Sequence, residues 1–128
     1  MAIKVGNTTV IDDNRRVLSR VSTTTGSAGS SLAPNSDNFD EYIITAQAAA
    51  LTLAADTGTP VDGQRLMFRI KDDGTARTLA FTTGSSKSFR AIGITLPNTT
   101  VAGKTTYIGC KYNSTDSRWD VLAANTET

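Results

Sequence analysis

The sequence predicts an all-β fold: a jelly-roll-like antiparallel β-sandwich of about seven to eight strands, preceded by an extended N-terminal arm with a short hairpin. Thr and Ser supply 21 and 11 of the 128 residues, and β-branched Thr suits half-exposed strands. Short apolar alternations recur at roughly ten-residue spacing, with Gly, Asn, Asp and Ser between them. Helical and strand patterns do not alternate along the chain, so the sequence does not predict a parallel sheet with helical connections.

Residues 1–37 are predicted to form the arm. Two apolar alternations, residues 2–5 and 8–11, flank Gly6-Asn7, a pair that tolerates the positive φ of a tight hairpin turn. The stretch STTTGSAGSSLAPNSDN that follows, residues 22–38, has only Leu32 as a sizeable apolar side chain. Such a stretch buries too little surface to offset its ordering entropy, so we expect a linker there.

Residues 38–128 are predicted to form the sandwich. Its strands are expected at residues 42–45, 50–54, 65–71, 75–81, 89–92, 105–112 and 118–123. The clearest alternation is in residues 65–71, where Leu66, Phe68 and Ile70 face inward and Met67 lies on the outer face. Residues 42–45 and 50–54 are read as a hairpin, and Asp72-Asp73-Gly74 as a hairpin turn into residues 75–81.

The side chains expected in the sandwich core are the large apolar and aromatic residues on the inward phase of these strands. They are Ile44, Leu66, Phe68, Ile70, Leu79, Phe81, Tyr107 and Trp119. An alternative for the aromatic pair Tyr107 and Trp119 is a carbohydrate-binding platform, but the one Trp of so small a sandwich usually fills its core.

Composition removes several functional classes. The formal charge is +1, so bulk electrostatics favours neither nucleic acid nor an anionic membrane as a partner. The absence of His removes the commonest general base, and a single Cys excludes an internal disulfide and a multi-cysteine metal site. We therefore expect no enzyme, no metal and no cofactor. The N-terminal residues lack the apolar core of a signal peptide, so synthesis in a cytoplasm is expected.

The residues that look chemical have plainer interpretations. Gly103-Lys104-Thr105 resembles the end of a phosphate-binding loop, but a strand-like run follows it where that loop needs a helix. The pairs Asp12-Asp13 and Asp72-Asp73 fall at predicted turns, where Asp bonds its own backbone. Cys110 is expected to be a small buried side chain, because no His is present to activate it.

The arm carries apolar residues at strand-like spacing, together with two arginines, and this set is too small for a core of its own. These candidate assembly residues are Ile3, Val5, Val10, Ile11, Arg15, Arg16, Val17, Leu18 and Val21. They either cover one end of the sandwich or are buried by other chains, and a lone two-stranded hairpin is marginal in water. We favour burial by other chains.

Two blocks of sequence resemble structural proteins of tailed bacteriophages. IKVGNTTVIDDNRRV, residues 3–17, is similar to a short element of phage fibre proteins that leads into a Ser/Thr-rich segment. The larger block resembles a small β-domain that recurs in phage structural proteins. It includes YIITAQAAALTL (residues 42–53), RIKDDGTAR (residues 69–77), RAIGITLP (residues 90–97) and KTTYIG (residues 104–109).

The resemblance implies a virion component, commonly a homotrimer, that is not an enzyme. A chain with one compact β-domain and an arm fits a capsid decoration, or cement, protein on the capsid surface, whose partner would be the major capsid protein. It would be made in the cytoplasm of the host bacterium. The alternative is a head or tail fibre module that binds a host receptor or surface glycan.

Overall fold

A computed structural model describes residues 1–128, except for the side chain of Thr8. The described chain consists of strands, turns and loops, and none of its residues belongs to a helix long and apolar enough to cross a membrane. The strands are β1 (Ile3–Val5), β2 (Thr8–Ile11), β3 (Val21–Thr24), β4 (Ser31–Leu32), β5 (Glu41–Gln47), β6 (Leu51–Leu53), β7 (Arg65–Asp72), β8 (Leu79–Phe81), β9 (Ser88–Ala91), β10 (Thr105–Asn113) and β11 (Arg118–Thr126).

These strands form three sheets. A six-stranded sheet has the order β3-β5-β7-β10-β11-β9, a three-stranded sheet the order β4-β6-β8, and β1 and β2 pair separately as an antiparallel hairpin. The hairpin turn is tight, and Gly6 in it has a φ of 61°, which a residue without a Cβ adopts at little cost. The hairpin predicted over residues 2–11 is therefore confirmed.

From β3 to β8 the chain winds between the two larger sheets. Odd-numbered strands enter the six-stranded sheet and even-numbered strands the three-stranded one, so successive turns of the winding lie side by side. Strands of successive turns pair in parallel: β3 with β5, β5 with β7, β4 with β6, and β6 with β8. Leu53 is thus flanked in register by Leu32 on one side and Phe81 on the other.

The antiparallel hairpin of β10 and β11 completes the six-stranded sheet. β10 pairs with β7, and β11 pairs in parallel with β9, so the hairpin lies between the third turn of the winding and β9. The Asn113-to-Ser117 connection predicted between these strands is present as a turn. The hairpin adds Ile108, Trp119 and Val121 to the core.

The two larger sheets share one apolar core, which contains buried residues from both. The predicted core residues Ile44, Leu66, Phe68, Ile70, Leu79 and Trp119 are buried, and Phe81 is half-buried against them. Aromatic rings run through the core in contact pairs, with centroids of Phe68 and Phe89 5.8 Å apart. Ring pairs of this kind stabilise a core by about 0.5–1.5 kcal/mol beyond their buried area.

The all-β class is confirmed, but the finer prediction of an antiparallel jelly-roll-like sandwich is not. The predicted hairpin of residues 42–45 and 50–54 is wrong, because β5 and β6 belong to different sheets. The hairpin predicted at Asp72-Asp73-Gly74 is wrong for the same reason, since β7 and β8 are also in different sheets. Apolar alternation shows which face of a strand is buried, but it does not show which strand lies beside it.

Residues 22–38 differ from the linker that their composition predicts. Ser22, Thr23 and Thr24 in β3 pair with β5, and Ser31 and Leu32 in β4 pair with β6. This stretch has few apolar side chains, and it is ordered by main-chain hydrogen bonds to the neighbouring turns of the winding. The half-buried Leu32 also packs against the shared core.

Tyr107 is not in the core, contrary to the prediction. Its side chain is 43% exposed on the outer face of β10, whereas Thr106, Ile108, Cys110 and Tyr112 alternate inward. Tyr112 is the aromatic partner of Trp119 instead, with ring centroids 5.1 Å apart. The prediction of Tyr107 in the core is wrong because the inward-facing residues of β10 are the even-numbered ones, which include Tyr112.

Leu53→Ala is expected to destabilise the protein by about 2–5 kcal/mol, because it leaves a cavity between the two sheets. Leu122→Ala is the matched control, since Leu122 is exposed on the opposite face of the six-stranded sheet. We expect the control to change the free energy of unfolding by no more than about 0.5 kcal/mol. Urea unfolding measures both, and equal losses for the two variants would contradict the described core.

Candidate interaction surface

The first 19 residues, called here the hairpin arm, stand apart from the larger sheets. β1 and β2 hydrogen-bond to each other and, among the strands of the described chain, to no strand of the larger sheets. The chain then folds back on β2, where Val17 forms a bridge with Ile11 and the Leu18 N–H donates to the Val10 carbonyl at 3.0 Å. The arm is therefore a small three-segment unit with its own hydrogen bonds.

Asp12 organises the bend of the hairpin arm. Its carboxylate accepts hydrogen bonds from the N–H groups of Asn14 and Arg16, each at 2.9 Å, and from Nε of Arg16 at 2.7 Å. The Arg16 side chain and then the Arg16 N–H hold the pKa of Asp12 below its ordinary value. Arg15 occupies the left-handed region, with φ of 64°, at the tip of this bend. The turn role predicted for Asp12 is confirmed.

Several apolar residues of the arm are exposed to solvent. Val17 is 81% exposed, Val5 70% and Ile3 50%, while Leu18 and Val21 are exposed to a smaller degree. Val10 and Ile11 are half-buried, and Arg15 and Arg16 are exposed. All nine candidate assembly residues therefore lie on or next to the hairpin arm, and the largest exposed apolar surfaces among them are those of Ile3, Val5 and Val17.

Arg20 fixes the point at which the arm leaves the sheets. Its guanidinium binds both carboxylate oxygens of Asp40, with Nη2 to Oδ1 at 2.7 Å and Nε to Oδ2 at 3.0 Å. It also donates to the carbonyls of Ser36 and Asp37. The hydrogen bond to Arg20 lowers the pKa of Asp40, and the same bond raises that of Arg20. The base of the arm is thus held by a bidentate ion pair.

A hollow of about 730 Å³ separates the hairpin arm from the first turn of the winding. Val5, Val10 and Leu18 line it from the arm, and Val21 and Phe39 line it from the sheets. A partner segment inserted there would cover apolar surface on both sides.

The groups that could carry chemistry are used for structure. Among the residues whose side chains are described, no three His, Cys, Asp or Glu side chains cluster in a way that could hold a metal ion. Lys104 follows a turn closed by its N–H on the Val101 carbonyl, and β10 begins directly after it. Gly103-Lys104-Thr105 is therefore a turn that leads into a strand, and it lacks the helix that follows a phosphate-binding loop.

Two buried aspartates accept several hydrogen bonds each. Asp56 accepts from the N–H and hydroxyl of Ser36, from the Gly58 N–H and from Nε1 of Trp119. Trp119 is fully buried, so it forms part of the core and offers no surface to a glycan.

Asp72 joins the end of β7 to the loop before β10. Its carboxylate accepts from the Thr100 hydroxyl and the Gly103 N–H, each at 2.7 Å, and from the Gly74 N–H at 3.0 Å. Burial acts to raise the pKa of Asp72, but these hydrogen bonds together hold it below the ordinary value of 3.8.

Comparison of the chain with protein-family models, with curated proteins and with solved structures finds no match.

Cys110 is expected to be unreactive in the folded protein. Burial raises the pKa of its thiol to about 12, so the thiolate that attacks disulfides is scarce at neutral pH. Native protein mixed with a thiol-specific disulfide reagent at about pH 8 should react far more slowly than protein unfolded in guanidinium. Equal rates in the two states would contradict the burial of this side chain.

Asp72→Asn is expected to lower the free energy of unfolding at neutral pH by about 2–3 kcal/mol, because a donor amide replaces part of a carboxylate that accepts three hydrogen bonds. Since the pKa of Asp72 is lower in the folded state than in the unfolded one, its contribution is complete above 3.8 and is lost as the pH falls. The variant should therefore lose less stability than the natural protein between about pH 5 and 2.

Urea unfolding across that range measures both effects. Asp13→Asn, an exposed change at the arm, is the control and should cost no more than about 0.5 kcal/mol at neutral pH. Parallel stability curves for the Asp72 variant and the natural protein would contradict this role.

Proposed function

We propose that this chain is a structural protein of a tailed-bacteriophage virion: a capsid decoration, or cement, protein that binds the assembled shell through its hairpin arm. The resemblance of the arm and of the β-domain to phage structural proteins supports this. The observation that carries the proposal is the apolar surface of Ile3, Val5 and Val17, which is exposed on a hairpin that pairs with no strand of the larger sheets.

Burial of those side chains would supply the binding energy. Full burial of one Val or Ile contributes about 1.5–3 kcal/mol, so several together would offset a large part of the cost of fixing a short hairpin against a shell. Arg15 lies beside them and would bind a carboxylate of the major capsid protein, whereas Arg16 is already paired with Asp12 within the arm.

Stabilisation of the shell would follow from mass action. A protein that binds the assembled shell, and not its separated subunits, raises the free energy needed to disassemble the shell. In a homotrimer three arms would bind at once, and each bound arm would raise the effective concentration of the other two. The trimer is part of the proposal and comes from the resemblance.

A fibre module that binds a host glycan or receptor is the competing proposal. Its aromatic platform would have to be Tyr107, which is exposed, because Trp119 is buried. A glycan-binding role would therefore place its site on the outer face of the six-stranded sheet and not on the apolar side chains of the arm.

The double variant Val5→Glu/Val17→Glu should lose binding to capsid shells by about 100-fold or more, because two exposed valines would be replaced by carboxylates that a buried contact excludes. Shells assembled without this chain, from the capsid protein of the phage that encodes it, are mixed with each variant and sedimented. Val61→Glu/Val101→Glu, at two exposed valines outside the arm, is the matched control and should bind like the natural protein.

Unchanged shell binding by the double variant would refute the role of the arm. Binding of the natural protein to host cells, with none to shells, would establish the fibre alternative. Sedimentation of the free protein measures the expected trimer, and a monomer would remove that part of the proposal.

A further inference from the structure

The outer face of the six-stranded sheet carries an apolar groove at its centre. We call it the sheet-face groove, and it comprises Met67 on β7, Tyr107 and Gly109 on β10, and Leu122 and Ala123 on β11. Met67 is 39% exposed, Tyr107 43% and Leu122 52%, and the groove has a volume of about 470 Å³. Exposed apolar groups gathered on one face, and not scattered singly, mark binding surfaces.

Two local features shape the groove. Gly109 lies between Met67 and Ala123 in the register, and without a side chain it leaves a depression between its neighbours. A Cβ at Gly109 would lie 3.7 Å from the methyl carbon of Met67. The register also shifts between Gly109 and Cys110, so Leu122 has no partner of its own and lies exposed beside Ala123. A bulge of this kind turns an additional side chain towards one face.

The rim of the groove carries the cations Arg65 and Lys111 and the carboxylates Asp40 and Glu41. The two carboxylates are bound by Arg20 and Arg69. Arg65 and Lys111 are directly opposite each other on β7 and β10, both are exposed, and neither forms an ion pair within 4.0 Å among the described side chains. Lys111 is also opposite Asp120 on β11, but that carboxylate is bound by Arg90. Like charges in direct cross-strand register destabilise a sheet. An anionic group placed over this pair would relieve that repulsion.

The nearby Arg69, in contrast, has an ion-pair partner. Its Nε donates to Glu41 at 2.5 Å, so its charge is neutralised on the same face. Among the described side chains of the rim, Arg65 and Lys111 are therefore the two cations that form no ion pair, and they lie at one end of the groove.

A second copy of this face is a poor occupant. Two copies facing each other would bring one Arg65–Lys111 pair towards another around the same apolar strip. Most carboxylates of the chain are already bound to cations or buried, namely Asp12, Asp40, Glu41, Asp56, Asp72, Asp73, Asp116 and Asp120. Charge complementarity favours a different protein as the occupant.

We propose that the sheet-face groove binds an acidic segment of a partner protein, in which an apolar side chain is flanked by Asp or Glu. The apolar side chain lies in the depression over Gly109, between Met67 and Leu122. The flanking carboxylates bind Arg65, which can hold one in a bidentate pair, and Lys111. This site is separate from the apolar side chains of the hairpin arm, so the inference does not depend on the proposed function.

Synthetic peptides test the proposal on the full-length protein. The probe is an acetylated, amidated Glu-Glu-Leu-Phe-Glu-Glu peptide, titrated while the methyl signal of Met67 and the amide signal of Gly109 are followed by NMR. We expect both signals to shift on binding, and the matching Lys-Lys-Leu-Phe-Lys-Lys peptide to leave them unchanged. Shifts confined to other residues, or equal responses to the two peptides, would overturn the proposal.

Charge reversal provides the second test. Arg65→Glu/Lys111→Glu should weaken binding of the acidic peptide by about tenfold or more and should acquire binding of the lysine peptide. Lys4→Glu/Lys104→Glu, which changes the net charge equally at sites outside the groove, should bind like the natural protein. If both double variants lost the same amount of acidic-peptide binding, the loss would come from the net charge of the protein, and the site would be refuted.

A second copy of the chain is the other possible occupant of the groove, and a further variant tests for it. Leu122→Glu should abolish acidic-peptide binding and leave the sedimentation coefficient of the full-length protein unchanged. A shift of that variant to a smaller species would show that a second copy covers the groove, and this would refute an acidic partner as its occupant.

Discussion

The fold depends on satisfying the main-chain groups at the corners where the chain passes from one sheet to the other. At each corner the strand pairing ends, and the N–H and carbonyl groups left behind need other partners. Buried polar side chains supply many of them. Gln47 accepts a hydrogen bond from the Ala28 N–H and donates to the Gly29 and Ala49 carbonyls, and so joins the first two corners on one side of the winding.

Asp56 performs the same task on the opposite side and reaches further. Its carboxylate bonds to Ser36 after β4, to Gly58 after β6 and to Trp119 on β11. It therefore connects two turns of the winding to the final hairpin. Gly58 is required there, because a Cβ would lie 2.5 Å from the Ser36 hydroxyl oxygen and 2.8 Å from main-chain nitrogens. A hydrogen bond within a protein contributes about 0.5–1.5 kcal/mol, so the four that Asp56 accepts add to the stability supplied by the apolar core.

Local structure was readable from the sequence, and strand pairing was not. The alternation of Leu66, Phe68 and Ile70 correctly predicted the buried face of β7, and Gly6-Asn7 correctly predicted the first hairpin. Asp72-Asp73-Gly74 has the composition of a hairpin turn, but its first carboxylate bonds to Gly103, thirty-one residues along the chain. Because that distant contact is not visible in the local sequence, the sequence alone could not show that this turn connects two sheets and does not form a hairpin.

The candidate surfaces were predictable to different degrees for a physical reason. The exposed apolar residues of the hairpin arm form a short contiguous segment, so their excess is visible in the sequence. The sheet-face groove combines Met67, Gly109 and Leu122 from three strands and needs the register to bring them together. Ser19 lines both the hollow beside the arm and this groove. Partners bound at the two sites would therefore be neighbours, and two sites on one partner would reinforce each other through a high effective concentration.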